Sequence, residues 1–436
     1  MYFAMTHLLS SGAVIGPLTT TTVSAGRGST PAQRILTRLP NPATVFSMVT
    51  PAPVDPVALA DSLLPFGRSR TLPAAAYTDD AVLAWERRHL FAGAWVCVGR
   101  AEDLFDAGVT QRALTVGDVG VLLTTAGGAV KGFGNVCRHR GHELLADGES
   151  AARPAVVCPY HGWAYRLDGS LASAAGMRGV DAFQPSEHAL VDVPVESWAG
   201  WVFVNAAGAA PPLRDYLGGL AGLIEPYRPA DLRSAAGHTY RVAANWKVIV
   251  ENYHECYHCP LIHPELCKVS PPTSGNNWDL PGAWVGGSMD LRDHAETMSL
   301  DGRSTGRFID GAPPRTVRYV GLFPNLLISA HPDYVMTHRL TPLSPALTEV
   351  ECRWYLPADA GDPSYAVDFW DITNREDWAA CESVQRGMSS PHYRPGPLAA
   401  GEDAVYQWIA LIAGLYRNPT AVVQVGAAAR SGPGAG

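Results

Sequence analysis

Two short segments of the chain each place a cysteine close to a histidine. The first is Cys137-x-His139 and, after 18 intervening residues, the second is Cys158-x2-His161. A glycine lies within two residues of each histidine, which favours a tight turn at both segments. Two thiolates and two imidazoles suit a [2Fe–2S] cluster in which both cysteines hold one iron and both histidines hold the other. The alternative is a Cys2His2 zinc site, but zinc ligands usually occur as cysteine–cysteine and histidine–histidine pairs. The mixed pairs therefore predict an iron–sulfur cluster held by two β-loops.

A second group of potential ligands lies in the segment NWKVIVENYHECYHCPLIHPEL. Glu255 and His258 are three residues apart, so they share one face if the segment is helical. Pro260 disfavours the helical conformation at the residue before it and is expected to end this helix. His263 can then turn back toward His258 on the following turn. The pattern predicts that the two imidazoles converge on one metal ion.

A metal ion held by two histidines needs a third protein ligand. Iron(II) that binds dioxygen favours two histidines and one carboxylate, with open positions on the opposite side. Asp377 is the leading candidate because apolar residues after it give its helix an apolar stripe, and Asp377 lies near the edge of that stripe. Glu376 and Glu382 are its rivals.

The alternative for this segment is a structural zinc site that uses Cys256 and Cys259 together with the two histidines. The ligand spacing is admissible for zinc. We disfavour it because Cys256 and His258 are two residues apart and would point to different faces of a helix. The two cysteines are better explained as small core residues. His254 is interpreted as a residue outside the ligand set.

The elements that must position these side chains fall into four segments. Residues 1–70 are rich in Ser, Thr, Pro, Gly and Ala and are expected to form a mobile tail, and Met48 offers a later start of the chain. Residues 71–94 predict a helix that packs on the C-terminal domain. Residues 95–206 contain short β-branched runs separated by Gly and Asp, which predicts a small antiparallel β-domain. Residues 207–436 combine strands and helices, which is typical of an α+β domain.

Composition excludes several classes of protein. The chain has 436 residues, 47 % apolar and 17 % charged, so a disordered chain is excluded. The 33 Lys and Arg against 41 Asp and Glu give a net charge of −8, which argues against a nucleic-acid partner. No apolar stretch is long enough to cross a membrane, and the N-terminal run lacks the positive charges of a signal peptide. The expected location is the cytoplasm, where the eight cysteines would be packing residues or metal ligands rather than disulfides.

The two motifs in this order resemble the Rieske non-haem iron oxygenases of the α-subunit type, over roughly residues 70–420. The resemblance implies an N-terminal Rieske [2Fe–2S] domain and a catalytic domain of helix-grip type, an antiparallel sheet with helices. It also implies dioxygen activation at a mononuclear Fe(II), with electrons from NAD(P)H through a separate flavin or iron–sulfur reductase. The implied cluster ligands are Cys137, His139, Cys158 and His161, and the implied iron ligands are His258, His263 and Asp377.

The resemblance implies roles for two further residues. Asn252 occupies the position of an asparagine close to the iron. Glu255 occupies the position of the acidic residue that bridges an iron histidine of one subunit to a cluster histidine of its neighbour. The resemblance also implies a trimer or trimer-based ring, with a homotrimer as the expected assembly, in which electrons cross between subunits.

The form Glu-Cys-Tyr-His-Cys at residues 255–259 is similar to the branch that includes carnitine, glycine betaine and stachydrine oxygenases. Ring-hydroxylating dioxygenases normally have Asp at the bridging position. The leading hypothesis is therefore a monooxygenase acting on a quaternary ammonium compound or another small aliphatic substrate. A ring-hydroxylating dioxygenase is second, and a non-catalytic Rieske electron carrier with a structural zinc is third. A cationic substrate favours an aromatic box, for which the candidates are Trp278, Trp284, Tyr319, Phe323 and Trp354.

Overall fold

The computed structural model describes residues 50–419. Its first elements are three short helices, α1 (Pro56–Leu59), α2 (Ala75–Thr78) and α3 (Asp80–Glu86). Asp79 is the N-cap of α3, because its carboxylate accepts a hydrogen bond of 2.7 Å from the amide of Ala81.

The predicted boundary of the tail at residue 70 differs from the structure. Leu59 of α1 is buried, and the amide of Ala52 donates a 2.8 Å hydrogen bond to the carbonyl of Tyr416. Residues 50–70 thus contribute apolar contacts to the main core, which the Pro- and Ser-rich composition does not reveal. The rest of the predicted tail, residues 1–49, lies outside the described residues.

A buried ion pair joins α3 to the C-terminal domain. Lys247 Nζ lies 2.6 Å from Glu86 Oε1, and both side chains are fully buried. Trp246 Nε1 donates to the other oxygen of Glu86 at 2.8 Å, and the hydroxyl of Tyr416 also donates to this carboxylate. The buried charges are therefore paired and hydrogen-bonded, as burial in a low dielectric requires.

A β-rich domain follows, and its strands are all antiparallel to their neighbours. A five-stranded sheet has the order β5-β2-β3-β4-β9, a three-stranded sheet has the order β6-β7-β8, and another has the order β1-β11-β10. The elements are β1 (Val96–Arg100), α4 (Ala101–Leu104), β2 (Gln111–Val116), β3 (Val119–Ala126), β4 (Ala129–Gly134), β5 (Ser150–Ala151), β6 (Ala155–Val157), β7 (Ala164–Arg166), β8 (Leu171–Ser173), β9 (Asp192–Val193), β10 (Val195–Trp198) and β11 (Trp201–Val204).

The C-terminal domain is built on a seven-stranded antiparallel sheet of order β12-β18-β17-β16-β15-β14-β13. Its strands are β12 (Arg233–Val242), β13 (Asn276–Asn277), β14 (Trp284–Asp290), β15 (Thr316–Leu322), β16 (Leu326–Ala330), β17 (Val335–Ser344) and β18 (Leu347–Leu356). Its helices are α5 (Leu213–Leu217), α6 (Leu220–Ile224), α7 (Trp246–Tyr253), α8 (Cys259–Ile262), α9 (Pro264–Val269), α10 (Ser364–Met388) and α11 (Asp403–Arg417). The predicted α+β class is confirmed.

The helices that form the site pack together on this sheet. Helix α10 packs against α7 and β12, and α11 packs against α7 and β14. Within residues 50–419, no helix has both the length and the apolar character needed to cross a bilayer.

Candidate functional site

The two cysteine–histidine segments form two loops with the same backbone hydrogen bonds. Cys137 follows β4, its amide donates to the carbonyl five residues on at 2.8 Å, and its carbonyl accepts from Gly141 at 3.0 Å. Cys158 lies between β6 and β7 and makes the same two bonds, at 2.8 Å and, with Gly162, at 3.1 Å. The two glycines have φ angles of +75° and +72°, which only glycine adopts readily. The tight turns predicted at both segments are confirmed.

The loops bring two thiols and two imidazoles to one end of the β-domain. Cys137 and Cys158 are buried free thiols, and the rings of His139 and His161 lie at the outer side with centroids 4.7 Å apart. Two buried soft ligands on the inner side and two imidazoles on the outer side fit the donor set of a Rieske [2Fe–2S] cluster. The assignment of these four residues as ligands stays a prediction.

Two residues that were not predicted from the sequence, Tyr165 and Trp163, support these loops. The Tyr165 hydroxyl lies 3.3 Å from Cys137 Sγ and accepts a 2.9 Å hydrogen bond from the amide of Arg138. The indole of Trp163 stacks on His139 with ring centroids 4.8 Å apart. Trp163 immediately precedes β7 and Tyr165 lies in it. Because residues two apart in a strand face the same side, this spacing could have indicated that both side chains support the loops.

The second group of ligands is positioned by turns rather than by one helix. Helix α7 ends at Tyr253, so the prediction that it continues to Pro260 is wrong. Pro260 instead lies in the first turn of the short helix α8, where its missing N–H costs nothing. The Glu255 carboxylate accepts the amide N–H groups of Tyr257 and His258 and closes the turn between the two helices. Glu255 and His258 therefore meet across a turn, not along a helix face.

His258, His263 and Asp377 converge. His263 Nε2 lies 2.9 Å from Asp377 Oδ1, and His258 Nε2 lies 3.4 Å from the same oxygen. On the far side of each ring, His258 Nδ1 donates to Glu255, and His263 Nδ1 donates to Glu376 Oε2 at 2.8 Å. Two imidazole nitrogens and one carboxylate thus face a common point, which is the donor set of a facial triad.

The rival carboxylates lie elsewhere. Glu376 contacts the Nδ1 side of His263, away from the point of convergence. Glu382 Oε1 accepts a 3.0 Å hydrogen bond from the amide of Ala243. The geometry therefore favours Asp377 as the third ligand of a metal ion, an assignment that remains a proposal.

The three groups are strongly coupled electrostatically. Burial lowers the pKa of His258, but hydrogen bonds to Asp377 and Glu255 outweigh it and raise the pKa to about 9. Burial likewise lowers the pKa of His263, and the hydrogen bond to Asp377 is the main cause of its net upward shift. Burial raises the pKa of Asp377, but the two imidazoles outweigh it and hold the pKa below its usual range. A carboxylate that holds two imidazolium protons is suited to a cation that replaces those protons.

Cys256 and Cys259 form a disulfide, with their Cα atoms 4.9 Å apart. The expectation that the cysteines avoid disulfides is wrong for this pair, because the turn after α7 brings the two residues within bonding distance. The Sγ atom of Cys259 also lies within 4.8 Å of a ring nitrogen of His258 and of His263. This sulfur is already bonded to Cys256. A zinc site that uses both thiolates is therefore incompatible with this structure.

A cavity of about 580 Å³ opens beside the triad. Asn252, Asp403 and all three triad residues line it. Of the five predicted box residues only Tyr319 lines the cavity, while Trp284, Phe323 and Trp354 are buried in the core. Trp278 packs near Trp284, with ring centroids 6.4 Å apart. The remaining aromatic wall comes from Tyr253, Tyr257, Trp370 and Trp378.

The sequence contained a signal for part of this wall. Trp370, Asn374, Asp377 and Trp378 follow the spacing of one helix face, and all four line the cavity on α10. His254, which we expected outside the ligand set, lines the cavity as a buried residue whose pKa burial lowers to about 3.

Known protein families match both domains. Residues 94–184 match the Rieske [2Fe-2S] domain, and residues 229–415 match the ring hydroxylating alpha subunit (catalytic domain). The chain is 31 % identical over 384 residues to a glycine betaine monooxygenase oxygenase subunit of Pseudomonas aeruginosa, covering 79 % of this chain and 89 % of the relative. It is 37 % identical over 353 residues to a carnitine monooxygenase oxygenase subunit of Acinetobacter baumannii, covering 74 % and 86 %.

A solved structure extends this similarity to three dimensions. It is a quaternary ammonium Rieske monooxygenase described with carnitine oxidation and inter-subunit electron transfer. The TM-score is 0.68 at 26 % identity, and the match covers 85 % of this chain and 100 % of that one.

Proposed function

Because the chain belongs to the family of Rieske oxygenase α subunits, we propose that it oxidises a quaternary ammonium compound. Members of this family are oxidoreductases that combine a Rieske [2Fe–2S] domain with a catalytic domain that uses mononuclear iron, and they work with a separate reductase, a substrate and dioxygen. The observation that carries the proposal is the cavity beside the triad, because its wall combines aromatic rings with carboxylates.

The wall of the cavity suits an organic cation. Tyr319, Trp370 and Trp378 present aromatic rings to the cavity, and Asp403 adds a carboxylate at the start of α11. Quaternary ammonium groups cannot donate hydrogen bonds, so aromatic faces and nearby negative charge are the features that recognise them. We therefore assign this wall to the ammonium group.

We assign Cys137, His139, Cys158 and His161 to the cluster, and His258, His263 and Asp377 to the iron. When bound, the cluster supplies electrons one at a time and the iron(II) supplies dioxygen activation. Glu255 and Glu376 fix the orientation of the two imidazoles by accepting their Nδ1 protons. Asn252 lines the cavity next to this site.

The reaction that fits this site is insertion of one oxygen atom into a C–H bond beside the nitrogen. The second oxygen atom leaves as water and consumes two electrons and two protons. The hydroxylated product then breaks its C–N bond and releases its hydroxyl proton, which gives an aldehyde and an amine with one substituent fewer. We propose that NAD(P)H supplies the electrons through a flavin or iron–sulfur reductase, and that the protein works in the cytoplasm.

Turnover of the purified full chain tests this function. With a surrogate reductase and NADH, quaternary ammonium compounds should yield an aldehyde and the dealkylated amine. Aromatic substrates serve as the comparison, because a ring-hydroxylating dioxygenase would form a cis-dihydrodiol instead. Dihydrodiol formation without any amine product would replace our proposal with that second function. A protein that carries zinc and no mononuclear iron would support the electron carrier.

We also propose that the active assembly is a homotrimer in which Glu255 bridges two subunits. Glu255→Gln should retain both metal centres and a reducible cluster, but should slow substrate-dependent reoxidation of the cluster. Glu265→Gln is the matched control, because Glu265 is a neighbouring acid that forms an ion pair with Lys268 at the surface. Stopped-flow absorbance of the pre-reduced protein measures the rate. Unchanged reoxidation in Glu255→Gln would show that electrons do not pass through this residue.

A further inference from the structure

A disulfide closes the turn that carries His258. Cys256 and Cys259 are bonded to each other, so the bridge encloses only Tyr257 and His258. Both cysteines line the cavity beside the triad. Cys256 is half-buried and Cys259 is buried, which leaves Cys256 as the side of the bridge that a reductant in the cavity can attack.

The sulfur of Cys259 lies among the atoms that we assign to the metal. Its Sγ, one ring nitrogen of His258 and one ring nitrogen of His263 all lie within 4.8 Å of one another. An ion between three such atoms is at most about 2.8 Å from each of them, and ordinary zinc bonds to nitrogen and sulfur are about 2.0–2.3 Å long. Each donor therefore needs to move by less than about 1 Å to bind one common ion.

The disulfide keeps this sulfur out of the donor set. A cysteine binds metal ions as a thiolate, and a sulfur bonded to another sulfur is not one. In the disulfide-bonded form two imidazoles and Asp377 remain, which leaves open positions on an iron(II) ion. After reduction a thiolate joins the two imidazoles, and thiolate ligands favour zinc. Together with Asp377, whose Oδ1 contacts both rings, the reduced protein offers four donors, the number typical of a closed zinc site.

We propose that Cys259 is a metal ligand that the disulfide withholds. While the bridge is intact, the site takes iron(II) on His258, His263 and Asp377, an assignment that rests on the proposed function above. Reduction adds the Cys259 thiolate and turns the selectivity of the site toward zinc. Zinc has no redox chemistry with which to activate dioxygen, so the reduced, zinc-bound form is inactive.

Reduction consumes two molecules of a thiol such as glutathione. One thiolate attacks Cys256, the S–S bond of the protein breaks, and a second thiol resolves the mixed disulfide. Two electrons and two protons pass to the protein, which then holds two thiols, and the reductant leaves as its own disulfide. The Cys259 thiol gives up its proton when it binds the metal ion.

Two variants that both lack the disulfide test this ligand. Cys256→Ser leaves the Cys259 thiol beside the imidazoles, whereas Cys259→Ser removes the sulfur that lies within 4.8 Å of them. Both variants carry Cys267→Ser, because Cys267 is a free thiol whose Sγ lies 3.4 Å from the carbonyl oxygen of Cys259 and is close enough to exchange. The full chain, with its cluster retained and its mononuclear metal removed by a chelator, is titrated with Co(II) and with zinc.

The two variants should differ although they lose the same bridge. Cys256→Ser should show a thiolate-to-cobalt charge-transfer band in the Co(II) difference spectrum, and Cys259→Ser should show none. In competition with a chromophoric chelator, Cys256→Ser should bind zinc at least about 10-fold more tightly than Cys259→Ser. A merely structural role of the disulfide would change both variants alike. If Cys256→Ser does not fold, reduction of the wild type with a phosphine should produce the band, and reoxidation should remove it.

The outcomes separate this ligand from the proposed function, because the titrations need no substrate. Absence of the band in both Cys256→Ser and the reduced wild type would overturn the inference, and so would equal zinc affinity in the two variants. A Cys256–Cys259 pair that stays reduced in oxidised glutathione, as measured by mass spectrometry after alkylation, would overturn it as well. If the disulfide-bonded wild type binds no Co(II) while the band appears on reduction, the thiolate ligand stands and the metal assignment of the proposed function fails.

Discussion

Removing the carboxylate of Glu376 should weaken metal binding without removing a metal ligand. Glu376 Oε2 accepts the Nδ1 proton of His263 at 2.8 Å, while the other nitrogen of that ring faces Asp377. The carboxylate thus fixes the orientation of the ring and makes Nε2 more basic. The imidazole is 2 % exposed, so no solvent molecule from the surface replaces this bond easily.

The size of the effect follows from the geometry. Loss of a carboxylate behind a metal-binding histidine typically costs 10–100-fold in metal affinity. The Glu376 side chain is 30 % exposed, which screens its charge, so we expect the lower end of that range. Glu376→Ala should therefore raise the dissociation constant of the metal about 10-fold, or about 1.4 kcal/mol. Glu376→Gln keeps an acceptor oxygen and should cost less.

Competition between a chelator and the apo-site for Co(II) or Fe(II) measures this affinity in protein that retains its cluster. Glu382→Gln and Asp368→Asn are controls on the same helix, because neither residue contacts the imidazoles. An unchanged affinity in Glu376→Ala would refute the positioning role. Complete loss of metal in Glu376→Ala together with retention in Asp377→Ala would show that the third ligand is Glu376.

Three other variants test the remaining parts of the site. Asp377→Ala should lose mononuclear metal and turnover while the visible spectrum of the cluster persists, because two histidines alone hold Fe(II) weakly. Tyr165→Phe removes the hydroxyl beside Cys137 Sγ and should lower the cluster potential by about 40 mV in a redox titration, the equivalent of about 1 kcal/mol for one electron. Burial raises the pKa of Glu251 to about 8 from an ordinary 4.5, so the folded protein favours the protonated acid. The free energy of unfolding should then fall as pH rises from about 4.5 to 8, by on the order of 5 kcal/mol, and urea titrations should show this slope flattened in Glu251→Gln.

The sequence predicted the parts of the site that depend on spacing within rigid elements. The glycine beside each histidine of the two cysteine–histidine segments indicated two turns, and the structure has two turns with the same hydrogen bonds. The apolar stripe after Asp377 indicated a helix at this residue, and helix α10 spans Ser364–Met388. Both signals are local, so they need no knowledge of which surfaces meet.

The sequence did not predict features that depend on competition between local structures. Residues 246–259 have a helical pattern, but the Glu255 carboxylate binds the amides of the next turn and offers the backbone an alternative to the helix. The disulfide of Cys256 and Cys259 depends on that turn. Of the five aromatic candidates for the box only Tyr319 lines the cavity, because composition does not show which face of a central strand points to the core and which to the cavity.

Helix α10 carries both a proposed metal ligand and part of the cavity wall. It supplies the carboxylate of Asp377, the amide of Asn374 that is hydrogen-bonded to His338, and the indole of Trp378 in the cavity wall. These three residues lie within five positions of one rigid helix, so their relative positions are set by helix geometry rather than by loops. A shift of α10 toward or away from β17 would therefore move Asp377, Asn374 and Trp378 together relative to His338 on β17. A movement of α10 should accordingly change the metal site and the cavity wall at once, whereas a side-chain replacement on β17, such as at His338, should change the wall alone.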